Sequence, residues 1–310
     1  MTAAIITAAG SVSGDDKRRP TDNVGETSSI KRVIMVFREA GIQKIIVVTG
    51  FDAGALERHC SHLGVIFLRN NEYDAGDMLS SVKIGLNYLK DKCEKAFITP
   101  AHLPFFTVET VNGMKNTSEP VVIPMCNNKT GHPLLLSADL FDRVLEYGGS
   151  AGLVGALSVG KITRRFFDVS DEGVLVRTRD KSGASDVTEN YSLRKMRPEA
   201  RVRLLGEKAF FGPGTQQLLA LTGESGSLSQ ASQQMGISYS KAWKMIADAE
   251  KQLGFALIDS RQGGSGGGGS EITAGGRELM RRYAAFVSEC DELVRAAFER
   301  HFEGTSSAER

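Results

Sequence analysis

Ser238, Tyr239, Ser240, Lys241 and Lys244 form the densest group of side chains able to do chemistry, at the start of an amphipathic run. Hydroxyl and ammonium groups near a helix N-terminus can contact phosphates and base edges in a DNA major groove. An ordinary helical subdomain with a solvated polar face is the alternative. At the other end of the chain, Thr7, Ala8, Ala9 and Gly10 follow an apolar run. They shape either a phosphate-facing loop or a tight turn from strand to helix. Lys17, Arg18 and Arg19 come next, and they either attract phosphates or form a solvated surface loop. His59, Cys60 and His62 invite a metal, but no second pair of ligands accompanies them, so no metal site is assigned there.

Cys60, Cys93, Cys126 and Cys290 are far apart and form no C-x-x-C pair. They read as free thiols in a reducing compartment. The 38 Lys+Arg against 37 Asp+Glu give no global attraction to nucleic acid, so any DNA contact needs a local basic patch. Met1 to Gly10 is apolar but has no basic flank, and nothing approaches the roughly 20 apolar residues of a membrane span. The sequence predicts a cytoplasmic protein with no membrane contact.

Up to about residue 180 short β-rich runs alternate with helical patterns. The runs are Ala3–Ala8, Lys44–Val48, Val65–Leu68, Ala96–Thr99 and Val121–Met125. Between the first two, Ile30, Val33, Ile34 and Phe37 share one helical face, and Gly41 follows as a stop. Strand and helix repeated in this way predict a mostly parallel sheet covered on both faces, an α/β domain over residues 1–180. Arg165–Val169 and Val174–Thr178 are expected as a late hairpin or edge strands. Residues 181–197 are polar and aperiodic and read as a linker to a second domain, 198–310.

In that second domain a helix opens after Phe210 to Gly214, and Ser227-x-x-Gln230 is a capping-box signature for the next. Gly236 makes a turn, and the helix that begins at Ser238 buries Ala242, Ile246, Ala249 and Leu253. Two short helices joined through Gly236, Ile237 and Ser238 match a helix-turn-helix. The glycine run containing Gly266 and Gly267 lies between two short β segments and reads as a wing able to follow a phosphate backbone closely. In the last helix, Leu279, Tyr283, Phe286, Cys290 and Leu293 recur in steps of four and three, the seam of a two-helix homodimer.

The stretch from Phe210 through Gly226 to Leu228, Ser238 to Trp243, Leu253, Gly254, the glycine run and Thr273-x-x-Gly276 resembles the DNA-binding domain of ModE-type molybdate-responsive regulators. The resemblance implies a dimeric winged helix-turn-helix on double-stranded DNA, in a setting of molybdenum metabolism. The molybdate-binding modules of full-length members have no counterpart here, so direct molybdate sensing is not implied.

In the first domain Ala8 to Gly10, Val48 to Gly50, Met78 to Ser81, Pro100 to Pro104 and Gly131 to Pro133 fall in the order of MobA/MocA-like nucleotidyltransferases of molybdenum-cofactor synthesis. That resemblance implies a Rossmann-like nucleotide-diphospho-sugar transferase fold. Its pocket would be built from Ala9, Gly10, Ser11, Arg19, Thr49, Ser80 and Ser81, and its ligand would be CTP or GTP with Mg²⁺, or a molybdenum-cofactor species. Aligned through Pro20, Val24 and Gly25, Gly14 stands at the family's Arg position and Arg19 at its Lys position. His102 replaces the metal-binding Asp, and the second carboxylate falls near Arg179, with Asp180 one place off. Loss of metal ligands predicts a transcriptional regulator whose degenerate transferase domain senses a small-molecule effector. A working cytidylyl- or guanylyltransferase that also binds DNA, and a scaffold for cofactor enzymes, are the other readings.

Overall fold

A computed structural model describes residues 1–10, 19–74, 78–160, 162–178, 198, 200–260 and 269–302. They fall into two compact units, Met1–Ser192 and Leu193–Arg310. Among the described residues no helix is long and apolar enough to cross a membrane.

The first unit is an α/β sheet. In chain order it comprises β1 (Thr2–Ala8), a small hairpin of β2 (Asn23–Val24) and β3 (Thr27–Ser28), α1 (Ser29–Glu39), β4 (Lys44–Thr49), α2 (Ala53–Cys60) and β5 (Ile66–Arg69). Next come α3 (Met78–Leu89), β6 (Lys95–Pro100), α4 (Val108–Lys115), β7 (Val121–Cys126), β8 (Lys129–Thr130) and β9 (Leu134–Ser137). The helices α5 (Phe141–Glu146) and α6 (Gly152–Ser158) and strand β10 (Arg164–Asp168) complete it. The strand order is β10-β7-β9-β6-β1-β4-β5, with β8 paired to β7. Strands β1, β4, β5 and β6 are parallel, and β9 runs against both its neighbours.

Ala3, Ala4, Ile5 and Ile6 of β1 are all wholly buried, as a central strand covered on both faces requires. Ile30, Val33, Ile34 and Phe37 of α1 turn inward, and Gly41 ends that helix at φ 78°. The Phe37 ring meets Phe97 and Phe106 at 5.7 and 5.3 Å. On α3, a Cβ at Gly85 would lie 2.8 Å from Ile5 Cγ2, so glycine lets that helix approach β1 closely.

One expected strand is absent. Over Val174–Thr178 the chain forms no strand; a 3₁₀ turn at Glu172–Val174 precedes irregular backbone. Asp171 sets the turn, its carboxylate accepting from the backbone N–H groups of Thr107 and Gly173 and from the Thr107 and Thr110 hydroxyls. Beyond it the His132 N–H donates to the Val174 carbonyl and the Thr178 N–H to the His102 carbonyl. The predicted linker 181–197, with Arg179 and Asp180, lies outside the described residues.

The second unit begins with β11 (Leu204–Leu205) and β12 (Ala209–Phe211), followed by α7 (Pro213–Ser225), α8 (Leu228–Gln234) and α9 (Tyr239–Leu253). An antiparallel hairpin of β13 (Ile258–Ser260) and β14 (Ser270–Ile272) precedes the 29-residue α10 (Ala274–Phe302). Ser227 and Ser238 cap α8 and α9, their hydroxyls accepting from the N–H groups of Gln230 and Lys241 at 3.3 and 3.2 Å. Gly236 turns the chain between them at φ 64°. Glu250 then ties α9 to the hairpin, one carboxylate oxygen accepting from the Leu257 and Ile258 N–H groups at 2.7 and 3.2 Å.

Candidate functional site

The sheet of the first unit reverses its winding beside β1: the chain proceeds to β4 and β5 on one side and returns to β6 on the other. Open α/β sheets bind ligands outside the carboxyl ends of their strands at such a point. A pocket of about 190 Å³ lies there, lined by Thr7, Ala9, Gly10, Asn70, Tyr73, Met78, Ser81, Pro100 and His102. Thr7 and Pro100 are partners in the β1–β6 register, so the pocket sits at the switch itself.

Close backbone approaches shape this loop cluster. The Phe51 N–H donates to the Ala9 carbonyl at 3.0 Å. A Cβ at Gly50 would lie 2.6 Å from that same oxygen and 2.7 Å from Tyr73 Cβ, so only glycine admits the contact. Among the described residues, a Cβ at Gly10 would meet nothing within 4 Å.

Asn70, only 3% exposed, organises the polar wall. Its amide donates to the Ser80 and Ser81 hydroxyls at 2.9 and 3.0 Å, and its carbonyl oxygen accepts from the Glu72 N–H at 3.0 Å. A hydroxyl that accepts from Asn70 keeps its own proton to donate, and Ser81 faces the pocket. Sequence reading missed Asn70, because a single amide at a strand end carries no periodic signal.

Of the nucleotide-pocket residues expected from sequence, Ala9, Gly10 and Ser81 line this cavity. Ser80 stands beside it through Asn70, and Ser11 lies outside the described residues. Thr49 does not reach it. Wholly buried, its hydroxyl donates to Glu57 at 3.2 Å, and Glu57 in turn holds Arg69 through two hydrogen bonds of 2.8 and 2.7 Å. Thr49 therefore ties α2 to the sheet. Arg19 pairs on the surface with Asp52 at 3.1 Å and is not among the lining residues.

His102 lines the pocket where the sequence resemblance expects a metal-binding Asp. No described lining residue is a carboxylate, and no group of three or more His, Cys, Asp or Glu able to hold a metal occurs among the described residues. Nearby, burial holds the His132 imidazole down at about 4, with the charges of His102 and Arg177 acting in the same direction. Two members of the His59, Cys60 and His62 triplet have a structural role of their own. His59 shares a 2.8 Å hydrogen bond with the Ser28 hydroxyl, and burial pushes the Cys60 thiol up to about 12.

In the second unit Ala242, Ile246 and Ala249 of α9 face the core, and Ser238, Tyr239, Ser240, Lys241 and Lys244 are exposed. Among the described residues neither Lys241 nor Lys244 pairs with a carboxylate. Trp243, 46% exposed on the same helix, was not singled out from sequence. Gly266 and Gly267 lie outside the described residues, but the strands flanking them pair Ile258 with Ile272 and Ser260 with Ser270.

The expected dimer seam divides. Tyr283 is only 4% exposed, with its ring 5.0 Å from Phe211 and its hydroxyl on the Val202 carbonyl, so it belongs to the core of its own unit. Phe286 and Leu293 are exposed, and Leu279 and Cys290 are half-buried.

Residues 216–277 match the bacterial regulatory helix-turn-helix protein, lysR family. The chain is 37% identical over 79 residues to the DNA-binding transcriptional dual regulator ModE of Escherichia coli (strain K12), covering 26% of this chain and 30% of that protein. It is 32% identical over 83 residues to the molybdenum-pterin-binding protein MopB of Rhodobacter capsulatus, covering 27% and 30% respectively. The chain thus spans under a third of the length of these curated relatives. In fold it is similar to a nucleotidyl transferase from Methanothermobacter thermautotroptrophicus, with a TM-score of 0.53 and 19% identity over 62% of this chain and 97% of that one. Residues 4–165, just over half of the sequence, match the MobA-like NTP transferase domain, and the chain belongs to that family.

Proposed function

We propose that the protein is a DNA-binding transcriptional regulator of molybdenum or molybdenum-cofactor metabolism, with its transferase-like unit as ligand sensor. The observation that carries this reading is the exposed pair Lys241 and Lys244 on the second helix of a helix-turn-helix. The names of ModE, a transcriptional regulator, and MopB, a molybdenum-pterin-binding protein, support the molybdenum setting. In this reading Ser238, Tyr239, Ser240, Lys241 and Lys244 face duplex DNA, and Gly266 and Gly267 follow its backbone as a wing. Phe286 and Leu293 join two copies through α10. Residues 1–180 bind a nucleotide or a molybdenum-cofactor species, and residues 181–197 link them to the DNA-binding part.

The sensor role rests on the pocket lining. Mg²⁺ takes oxygen ligands, and the described wall offers the His102 imidazole instead of a carboxylate. Losing one well-placed electrostatic group typically raises a barrier by about 2.7–4 kcal/mol, so binding outlasts turnover. Family membership over residues 4–165 favours a second reading, a working nucleotidyltransferase that also binds DNA.

Two assays on the full chain test these readings, the first the DNA binding that both share and the second the turnover that separates them. Replacing Lys241 and Lys244 by Ala should weaken duplex binding and flatten its salt dependence, by about 0.9 in log–log slope for each phosphate no longer neutralised. Unchanged affinity contradicts the DNA-binding assignment. Pyrophosphate release with CTP or GTP, molybdopterin and Mg²⁺ or Mn²⁺ should be absent, and turnover at the rate of an active family member restores the enzyme.

A further inference from the structure

Helix α9 carries an aromatic edge as well as a basic face. At 3.6 residues per turn, Ala242, Ile246 and Ala249 mark the buried side, and Ser240, Lys244 and Ala247 run down the opposite side. Tyr239 and Trp243, one turn apart, occupy one flank of the exposed face, and Lys241 lies on the other. Tyr239 is 53% and Trp243 46% exposed. The aromatic pair falls in the first two turns, the part of a recognition helix that meets base edges. Ser240 and Ala247 fall between Trp243 and Lys244 around the helix and keep that strip shallow, so a groove wall can come close to the backbone beside the aromatic edge.

Resting on the reading that this unit binds duplex DNA, we infer that Trp243 is a specificity residue, packing its indole against thymine C5-methyl groups in the major groove with Tyr239 beside it. The methyl of thymine is the apolar feature that the major groove displays, and the A·T pairs carrying it are distinguished there by apolar contact. Lys241 and Lys244 supply the complementary charge, holding the helix on phosphates in a register that carries no sequence information of its own. The occupant of the aromatic edge is therefore DNA.

Trp243 is the sole tryptophan of the chain, so its fluorescence reports on this contact alone. The experiment uses the full-length protein and a fluorescein-labelled duplex that the protein has selected from a random library. Anisotropy measures binding independently of the tryptophan. On binding, Trp243 emission should change and its quenching by acrylamide should fall. Replacing contacted thymines by deoxyuridine removes only the methyl and should weaken binding about fourfold per methyl, the equivalent of one buried CH₂. In Trp243→Ala that penalty should vanish while the salt slope stays as in the wild type, and Trp243→Phe should restore part of it. Unchanged emission with anisotropy reporting a bound duplex overturns the inference and leaves the DNA-binding reading intact. Acrylamide shielding already present without DNA means that protein covers the indole, which also overturns it. No duplex bound under any condition overturns both.

Discussion

The Tyr283 hydroxyl donates to the Val202 carbonyl at 2.8 Å, tying the third turn of α10 to the segment that leads into β11. Its ring meets Phe211 edge-on at 5.0 Å and 70°. The remainder of the helix turns Phe286 and Leu293 to solvent, 47% and 63% exposed.

Two kinds of substitution on α10 should therefore separate. Tyr283→Phe removes one hydrogen bond and should lower the stability of its unit by about 1 kcal/mol without altering oligomeric state. Phe286→Ser combined with Leu293→Ser should leave the melting of the monomer unit almost unchanged and shift the protein from dimer to monomer in light scattering. A dimer that survives the double substitution places the interface elsewhere.

At the pocket, Gly50→Ala drives a methyl into the Ala9 carbonyl and Tyr73. Overpacking of this kind costs about 1–3 kcal/mol and should also abolish any ligand-induced rise in melting temperature. Gly54→Ala, four residues along, meets only the flexible end of Arg58 and should be neutral or slightly stabilising in α2. Equal effects of the two in differential scanning fluorimetry would contradict the close approach at Gly50. Asn70→Ala should weaken ligand binding with a smaller loss of fold stability, because Ser81 loses the donor that orients it.

His132 gives a pH signature of defined sign. Burial first, then the charges of His102 and Arg177, hold its imidazole at about 4, below the ordinary value of about 6.5. The unfolded chain takes up a proton that the folded chain refuses. Its contribution to stability is thus complete above about 6.5 and is lost as the pH falls from there to about 4, by on the order of 3 kcal/mol. Ring-proton NMR should show one of the five histidines titrating near 4, a resonance missing in His132→Gln. The same variant should show a flatter fall in unfolding midpoint over that window. Titration near 6.5 would contradict this burial.

Strongly periodic or apolar segments were legible in the sequence. The inward face of α1, the capping serines Ser227 and Ser238, and the buried stripe Ala242, Ile246 and Ala249 all follow from spacing alone. Long-range hydrogen bonding was not legible. Val174–Thr178 has the composition of a strand, yet Asp171 turns it through partners more than 60 residues away. Thr49 lies in a motif shared with nucleotide-binding folds, but its hydroxyl is spent on Glu57. Tyr283 keeps the heptad spacing of a seam and is claimed by Phe211 instead. Within the candidate site, glycine and serine motifs pointed to Gly10 and Ser81, while Asn70 and Tyr73 enter from a loop with no pattern of its own.

The central claim, a sensor unit coupled to a DNA-binding unit, is tested most directly by the dissociation constant of the full chain for its selected duplex. That constant is measured by anisotropy while CTP, GTP or molybdopterin cofactor is titrated, with binding of each ligand checked by thermal shift. Coupling between two sites typically changes affinity about 5- to 150-fold, and the account predicts a change in that range for a ligand that raises the melting temperature. A ligand that binds the protein and leaves duplex affinity constant would contradict it.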